Sequence, residues 1–425
     1  MSKLSHLLTG AAALVLLPAS AMAEQVTLDV LYNLPGFTRF HQPIADAFME
    51  QHPDIKIEFR APAVAYNEGH QQVLRSAVTG DMPDVFFSGY HRLQELVETL
   101  EPRGQITPIA QFVEKEDSGW VDENYSPKMY ALGKIGDTQW GLPVNASSPI
   151  MYVNADLVRE AGGDPENMPD TWPELLDLAV EINALGDDIA GMAYDIGGWP
   201  DDWLWQAMVY QQGGELIDAE TGKVAFDNEV GLNALNYFRS FVTEAGQPVL
   251  DWDQSRQQFG AGKTGLIFST PAHVQTVEEL VGDRFELVTD TFPLDDKENG
   301  GVPTGGNAAV MLTQDEAKQD AAWEYLKWVT GPEAQDMIVR ITGYLPTNKR
   351  ATGEEFLAPF YAENPNVETA SFQADRSQPW AGYPGGDSVR IWRTQRDIIA
   401  AVMRGETTPE DGLEQLVSET NALME

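Results

Sequence analysis

The sequence predicts an α/β fold divided between two lobes. With 425 residues, the chain is too long for one hydrophobic core and suits two domains. Near the N-terminus, β-like runs at 26–32, 55–59 and 83–87 are each followed by residues with helical spacing. Successive βα units of this kind favour a mostly parallel sheet. A separate apolar strand run at 149–153 predicts the start of a second lobe.

The helices of the first lobe are predicted from apolar residues that recur with the period of a helix turn. Tyr66 falls in the predicted loop before the second of them. Loops at the carboxyl ends of parallel strands are where open α/β sheets bind ligands, so this position is a candidate for a ligand contact. The apolar stripes are Ile44 and Phe48, then Val73, Ala77 and Val78, then Leu93, Leu96 and Leu100.

The first long helix of the second lobe has a well-marked start. Thr171 is expected to accept hydrogen bonds from backbone N–H groups of the first turn, where Pro173 and Glu174 are also favoured. The aromatic segment 197–206 is predicted to be a loop. The remaining predicted elements are a helix at 232–241, a strand at 266–268, a break at 302–307 with a strand at 308–312, and helices at 317–339, 391–404 and from 408 onward.

The N-terminus is typical of a secretory signal peptide. Lys3 supplies a positive charge, residues 7–17 form an apolar run, and Ala21-Met22-Ala23 is a cleavage site of the A-x-A type. We therefore expect cleavage after Ala23 and export to the periplasm. No later stretch approaches ~18 continuous apolar residues, so the mature protein is expected to be soluble. No cysteine follows the cleavage site, so a lipid anchor is not expected.

Charge and composition exclude several classes of protein. The chain has 27 Lys and Arg against 66 Asp and Glu, a net charge of −39. Such a surface repels nucleic-acid backbones and anionic lipid headgroups, so neither is an expected partner. A hydrophobic content of 43% with 10% aromatic residues is typical of a folded protein. The absence of cysteine excludes disulfides, thiolate nucleophiles and cysteine-ligated metals.

No sequence motif indicates catalysis or a metal site. The run Gly262-Lys263-Thr264 resembles the end of a phosphate loop, but Gln257 stands where that loop needs its first glycine. The histidines after the leader show no i, i+4 pairing, and Gly-x-Ser-x-Gly does not occur. Acid pairs such as the one at 201–202 are expected by chance among 66 acidic residues. We therefore expect a protein that is not an enzyme and uses no cofactor or metal.

Three tryptophans in the predicted loop, Trp199, Trp203 and Trp205, are candidates for ligand contacts. The apolar C–H faces of sugar rings stack on indoles, while acids and amides nearby bond the hydroxyls. This composition suits a polyol or carbohydrate site. The alternative is that Trp203 and Trp205 only pack in the core or between lobes.

A row of arginines near the C-terminus is a candidate anion site. Arg390, Arg393 and Arg396 recur every three residues beside Trp392, so they share one side of a predicted helix. Guanidinium groups bind phosphate, sulfonate or carboxylate in a bidentate manner. Pairing with nearby acids such as Asp397 is an equally good interpretation.

Several runs together resemble the extracellular solute-binding proteins of carbohydrate ABC importers, the family of the maltose-binding protein. They are Gly80–Val85, Ala161–Asp164, Pro169–Leu175, Trp323–Pro332 and Thr342–Pro346, and they span most of the chain after the leader. The resemblance implies the periplasmic-binding-protein fold, in which two lobes with mostly parallel sheets are joined by a multi-crossover hinge near residues 145, 303 and 347. The implied division is 24–145 with 303–346 in the N-terminal lobe, and 146–302 with 347–425 in the C-terminal lobe.

Within this family, the chain is most similar to the branch that binds sn-glycerol 3-phosphate. The runs Leu142–Pro149, Thr342–Pro346 and Phe360–Pro365 are the similar ones. By this resemblance, the ligand-binding positions are Tyr66, Ser147, Gly306 and Tyr344, with the family's serine falling on Ser269 or Thr270.

Two positions depart from that branch. Its acid after the third strand is Tyr90 here, and its ligand-binding arginine aligns with Trp392, which leaves Arg390 or Arg393 as neighbouring cations. The resemblance assigns stacking to Tyr66, Tyr90 and a tryptophan, neutral donors to Ser147, Thr270 and the amides of Gly305 and Gly306, and anion binding to the arginines.

The resemblance implies that the protein captures a small polyol phosphate or sugar-like solute, of the glycerol 3-phosphate or glycerophosphodiester type. Hinge closure would then present both lobes to the transmembrane subunits of an ABC permease. The same module for a neutral or sulfonated sugar is an alternative, and a secreted carbohydrate-active enzyme is a remote one. We expect a monomer, because a hinged receptor must present both lobes freely.

Overall fold

The structure is a computed structural model that describes residues 25–196, 203–248, 250–384 and 388–425. The predicted leader, Trp199 and the acid pair at 201–202 lie outside the described residues. The strands are β1 (Val26–Leu31), β2 (Ile55–Phe59), β3 (Val85–Gly89), β4 (Lys134–Ile135), β5 (Thr138–Gln139), β6 (Gly141–Ser147), β7 (Ile150–Asn154), β8 (Ala190–Ala193), β9 (Thr264–Ser269), β10 (Leu287–Asp290), β11 (Val302–Met311) and β12 (Ser377–Pro379).

The helices surround these strands. They are α1 (Thr38–Gln51), α2 (Tyr66–Thr79), α3 (Tyr90–Leu100), α4 (Ala110–Val113), α5 (Trp120–Asn124), α6 (Pro127–Ala131), α7 (Ala155–Glu160), α8 (Trp172–Asn183), α9 (Trp203–Tyr210), α10 (Glu229–Thr243), α11 (Trp252–Gly260), α12 (Val274–Val281), α13 (Glu316–Val329), α14 (Pro332–Thr342), α15 (Ala358–Glu363), α16 (Pro365–Glu368), α17 (Ser388–Arg404) and α18 (Pro409–Met424). No helix in the described parts of the chain is long and apolar enough to cross a membrane.

The first sheet has the order β12-β11-β3-β1-β2, with β6 also paired to β11. β1 is parallel to both β2 and β3, as the successive βα units predict. β11 runs antiparallel to β3 and β6, with Asn307 opposite Gly89. A strand from late in the sequence therefore completes a sheet that the N-terminal segment begins.

The second sheet has the order β10-β7-β9-β8. Only the pairing of β8 with β9 is parallel among these described strands, while β7 is antiparallel to both β9 and β10. The α/β fold with two lobes is confirmed. The predicted mostly parallel arrangement holds for the first sheet, in which β11 is also parallel to β12, but not for the second.

Each sheet has an apolar cluster of its own, and a further cluster contains residues of both sheets, among them Phe86 and Tyr152. Trp172, Tyr194 and Phe268 lie in the cluster of the second sheet, and Phe40 and Phe87 lie in that of the first. All five side chains are almost completely buried. Each lobe therefore has enough buried apolar surface to be a body of its own. The residue boundaries of the lobes stay a prediction.

Several local predictions need correction. The Thr171 side chain does not cap α8: its hydroxyl donates to the Glu174 carboxylate at 3.0 Å, which leaves the backbone N–H groups of the first turn to other partners. The predicted helix at 317–339 is two helices, α13 and α14, separated at Thr330-Gly331.

The aromatic segment and the break before β11 also differ from expectation. Trp203 and Trp205 lie in α9 instead of a loop, because the apolar run that follows them forms a buried helix. Residues 302–307 belong to one continuous strand, β11, whose two glycines are held by pairing with β6.

Candidate functional site

A cleft lies where the first sheet meets the second. Ser147 ends β6, and its hydroxyl lies 2.7 Å from that of Thr270, which directly follows β9 of the second sheet. A parallel contact joins the hydroxyls of Ser148 and Thr304 at 2.9 Å. The chain passes from the first sheet to the second between β6 and β7, and hydroxyl groups from both sheets converge there.

Aromatic side chains enclose much of this cleft. The space between them that no atom fills amounts to about 540 Å³, part of it open to solvent. The described residues that line it are Tyr66, Ser147, Trp203, Trp252, Thr270, Ala272, His273, Gly305, Gly306, Tyr344 and Trp380.

The rings are held by contacts to both lobes. Tyr66 is the first residue of α2, and its hydroxyl donates to Asn307 on β11 at 3.4 Å. The indole N–H of Trp203 donates to the carbonyl of Pro303 at 2.9 Å. Tyr344 packs edge-on against Phe37, and burial raises the pKa of its phenol to about 12. Aromatic faces with fixed orientations are the usual platform for a sugar ring or another flat apolar face.

The lining of the cleft is electrically neutral. Burial lowers the pKa of His273 to about 3, so its imidazole is uncharged at neutral pH. Its Nδ1 lies 2.9 Å from the Ser269 hydroxyl. None of the described lining residues is an Asp, Glu, Lys or Arg. The polar groups offered to a ligand are therefore hydroxyls, amides and an imidazole.

Gly306 is required by the backbone. Its φ of +124° lies in a region that other residues rarely adopt, and a Cβ there would lie 2.0 Å from the carbonyl oxygen of Asn145. Gly305 differs, because a Cβ on it would point toward the rings of Trp380 at 3.3 Å and Trp203 at 3.8 Å. Only Gly305 faces the aromatic side chains of the cleft.

These two glycines give a matched pair of substitutions. We expect Gly306→Ala to lower the free energy of unfolding by about 2 kcal/mol, because the methyl meets a carbonyl in a strained backbone. Gly305→Ala is expected to cost less and to narrow the cleft. Urea denaturation of both variants measures the difference, and equal stability of the two would contradict the steric argument.

Seven predicted site residues line the cleft: Tyr66, Ser147, Trp203, Thr270, Gly305, Gly306 and Tyr344. Two more lie directly behind it. The Tyr90 hydroxyl donates to the carbonyl of Asn145 at 3.1 Å, and Ser269 contacts His273. Tyr90 is buried, so it supports the wall of the cleft instead of offering a ring to its interior.

The residues predicted on the C-terminal helix are placed elsewhere. Arg390 and Arg393 are exposed on α17, and neither is among the described lining residues. Arg396 pairs with Asp397 at 2.8 Å. Trp392 is buried beside a second cavity.

That second cavity adjoins the cleft, because Trp203 and Trp252 line both. Asp195, which follows β8, is 8% exposed, and its Oδ1 has no hydrogen-bond partner among the described residues. Burial, with a smaller contribution from the charge of Asp251, raises the pKa of Asp195 to about 7. A carboxyl group that titrates near neutrality beside a cleft is typical of functional positions.

Sequence reasoning missed four lining residues: Trp252, Ala272, His273 and Trp380. Trp252 opens α11 directly after the capping residue Asp251, so its position at a helix start was visible in the sequence. Trp380 stands between Pro379 and Gly382 in a segment without helical spacing, which is a common setting for an exposed or ligand-facing ring. Nothing local indicates that either ring would reach this cleft. No group of three possible metal ligands occurs among the described residues.

The bacterial extracellular solute-binding protein family matches residues 33–336, which is more than half of the chain. The chain belongs to this family. One relative is the sn-glycerol-3-phosphate-binding periplasmic protein UgpB of Escherichia coli K12, 22% identical over 401 residues that cover 90% of this chain and 88% of the relative.

Solved structures of similar proteins share the fold. The sugar-binding protein MalE from Xanthomonas citri superposes with a TM-score of 0.81 at 19% identity, covering 94% of this chain and 97% of that one. UgpB from Mycobacterium tuberculosis, in complex with glycerophosphocholine, has a TM-score of 0.74 at 16% identity, covering 94% and 98%.

Proposed function

We propose that this member of the family is the periplasmic substrate-binding protein of an ABC importer. It captures a small sugar-like or polyol phosphate solute in the cleft between the lobes and delivers it to the transmembrane subunits of a permease. The observation that supports this most directly is the cleft itself. Hydroxyls of Ser147 and Thr270 from the two sheets meet at 2.7 Å there, beside the rings of Tyr66, Trp203 and Tyr344.

Closure follows from contacts on both sides of the cleft. A ligand that stacks on Tyr66 and bonds Thr270 interacts with both lobes at once, so it binds the closed form more tightly than the open one. The shift in population is limited by that difference in affinity. The family resemblance predicts a crossover between the lobes near residue 303, so ligand contacts to Gly305 and Gly306 of β11 would act on the hinge.

Two ligand classes remain, and different observations favour each. The named relatives include proteins for glycerol 3-phosphate and glycerophosphocholine, which supports a polyol phosphate. A phosphate requires cations or a row of amide donors. Arg390 and Arg393 are the predicted cations, and the row they form on α17 is exposed. The neutral lining supports the second candidate, an uncharged sugar.

A ligand panel tests the function. Purified protein would be screened by thermal shift with glycerol 3-phosphate, glycerophosphocholine, a sulfonated glycoside, neutral disaccharides and polyols, followed by calorimetry. A ligand at 100 to 1,000 times its Kd is expected to stabilise the protein by about 3–4 kcal/mol. If no compound of either class binds, the proposal fails. Recovery of the bound compound unchanged separates a binding protein from a carbohydrate-active enzyme.

Tyr66→Ala is expected to raise the Kd of the ligand identified in the panel about tenfold or more, since it removes a stacking face and a hydroxyl from the cleft. Calorimetry gives the change in Kd. Phe372→Ala is the matched control, because Phe372 is 63% exposed and is not among the described residues that line the cleft. An unchanged Kd for Tyr66→Ala would place the ligand elsewhere.

The arginine row is tested with the same ligand. If an anionic compound binds at the arginine row, Arg390→Ala with Arg393→Ala should abolish its binding, whereas an anion held in the neutral cleft should bind the double variant unchanged. If only neutral sugars bind, the double variant should match the unmodified protein, and the aromatic cleft alone accounts for recognition.

A further inference from the structure

A stack of three aromatic rings joins the two lobes beside the cleft. His91, the second residue of α3, stacks on Trp380 with ring centres 3.8 Å apart and planes 30° apart. Trp380 in turn stacks on Trp392, with ring centres 6.2 Å apart and planes 26° apart. The guanidinium of Arg92 lies over the ring of Trp392, 5.1 Å from its centre. All four side chains are no more than 5% exposed.

The partners of the stack belong to different lobes. α3 packs on β3 and β11 of the first sheet, so His91 and Arg92 move with that lobe. Trp392 lies on α17, which packs on α10 and α18. The segment after Trp380 is fixed to α9, because the Gln206 side chain both donates to the carbonyl of Ala381 at 2.8 Å and accepts from its N–H at 3.0 Å. Trp380 itself follows β12, whose pairing with β11 ties it to the first sheet as well, and its N–H donates to the carbonyl of Thr304 at 3.3 Å. His91 and Arg92 also contact the ring of Trp392 on α17 directly. Opening the lobes would therefore separate Trp392 from His91 and Arg92 and expose these side chains to water.

Arg92 is held ready for this contact. It donates to Glu95 and to Asn67, both at 3.1 Å, so its fork is fixed within the first lobe and its flat face is left for Trp392. A buried guanidinium that stacks on an indole gains more than an exposed one. His91 is uncharged, because burial holds the pKa of its imidazole well below the usual range.

We propose that His91 and Arg92 are positioning residues that hold Trp380 and Trp392 in an inter-lobe latch. The latch favours the closed arrangement and so sets ligand affinity through closure, by the same factor for every ligand. The inference rests on the proposed hinge closure but on no particular ligand. The test of the latch uses the protein without ligand. Failure of that test would leave the proposed ligand binding intact, and failure of the ligand panel would leave the latch intact.

Gly382 offers a substitution that disturbs the latch alone. A Cβ at this position would lie 2.3 Å from the carbonyl oxygen of His91, across the boundary between the lobes, and its own φ is not in the left-handed region. The methyl group of Gly382→Ala would therefore push α3 and the segment of Trp380 apart. Gly36→Ala is the control, because a Cβ there meets no atom within 4 Å.

The distance between the lobes is the measurement. The chain has no cysteine, so Val78→Cys on α2 and Leu280→Cys on α12 accept a pair of spin labels without background; both sites are exposed, at 78% and 36%. Gly382→Ala and Arg92→Lys are expected to shift the ratio of open to closed molecules about tenfold toward open, seen as a longer distance by pulsed electron resonance. Gly36→Ala and Arg404→Ala, the latter at the far end of α17, should leave the distribution unchanged.

A purely structural role for Arg92 predicts a different result. Arg92→Lys would then lower the melting temperature by loosening α2 against α3, and the distance distribution would stay that of the unmodified protein. Trp392→Phe tests the latch if Arg92→Lys folds poorly. The combination of Trp392→Phe with Gly382→Ala should change the free-energy difference between open and closed forms by less than the sum of the two single changes. Unchanged distances in Gly382→Ala and Trp392→Phe would overturn the proposal.

Discussion

Asp195→Asn is expected to raise the free energy of unfolding by about 4 kcal/mol near pH 8 and to change it little near pH 4. The reason is the cost of burying this carboxylate, which raises its pKa from 3.8 to about 7 in the folded protein. Asparagine has the same shape and cannot ionise. It therefore avoids the cost of placing a charge in the cavity beside the cleft.

The sign of the pH dependence follows from the direction of this shift. Between about pH 4 and pH 7 the folded protein keeps a proton on Asp195 that the unfolded chain has released, so stability falls as the pH rises through this window. Above about pH 7 the penalty is complete and constant. The advantage of Asp195→Asn should grow across the same window and then level off.

Urea denaturation at several pH values measures this effect. Asp117→Asn is the control, because Asp117 is exposed and its substitution should give a curve parallel to that of the unmodified protein. Parallel curves for Asp195→Asn as well would show that Asp195 is ionised at little cost. A stabilising substitution here would identify a position at which stability is given up, as is common in binding sites.

Much of the fold could be predicted because its signals are local. The runs at 26–32, 55–59 and 83–87 alternate or cluster apolar residues between turn residues, and the structure has strands at 26–31, 55–59 and 85–89. Two site positions came instead from the family resemblance, which named Ser147 and placed a further serine at Ser269 or Thr270, after the strand at 266–268. In the structure Ser147 ends β6 and Thr270 follows β9.

The rest depends on contacts that are distant in sequence. The rings of Trp252 and Trp380 reach the same cleft from segments more than a hundred residues apart. A run of aromatic and polar residues predicted a loop at 203–206, yet burial of Trp205 against Phe226 and Phe238 makes that segment a helix. The prediction of a mostly parallel second sheet was wrong for a similar reason. The directions of β7 and β10 are decided by how the chain connects the strands and not by their composition.

Trp172→Ala is expected to lower the free energy of unfolding of the second lobe by about 3–5 kcal/mol. The ring is fully buried and meets four other aromatic rings at centre distances of 5.1 to 5.5 Å. Removing it leaves a cavity at the centre of that cluster, and the surrounding rings cannot collapse into it without losing their own contacts. Trp172→Phe retains much of the volume and is the matched control, with a smaller expected loss.

The location of the destabilised strands in Trp172→Ala tests whether the lobes are separate bodies. Hinge closure requires each lobe to keep its own core while the angle between the lobes changes. If that is so, hydrogen exchange in Trp172→Ala should lose protection in β7, β8 and β9, while β1, β2 and β3 keep theirs. Loss of protection in both sheets to the same extent would mean that the chain unfolds as one unit, with the apolar clusters of both sheets in a single cooperative body.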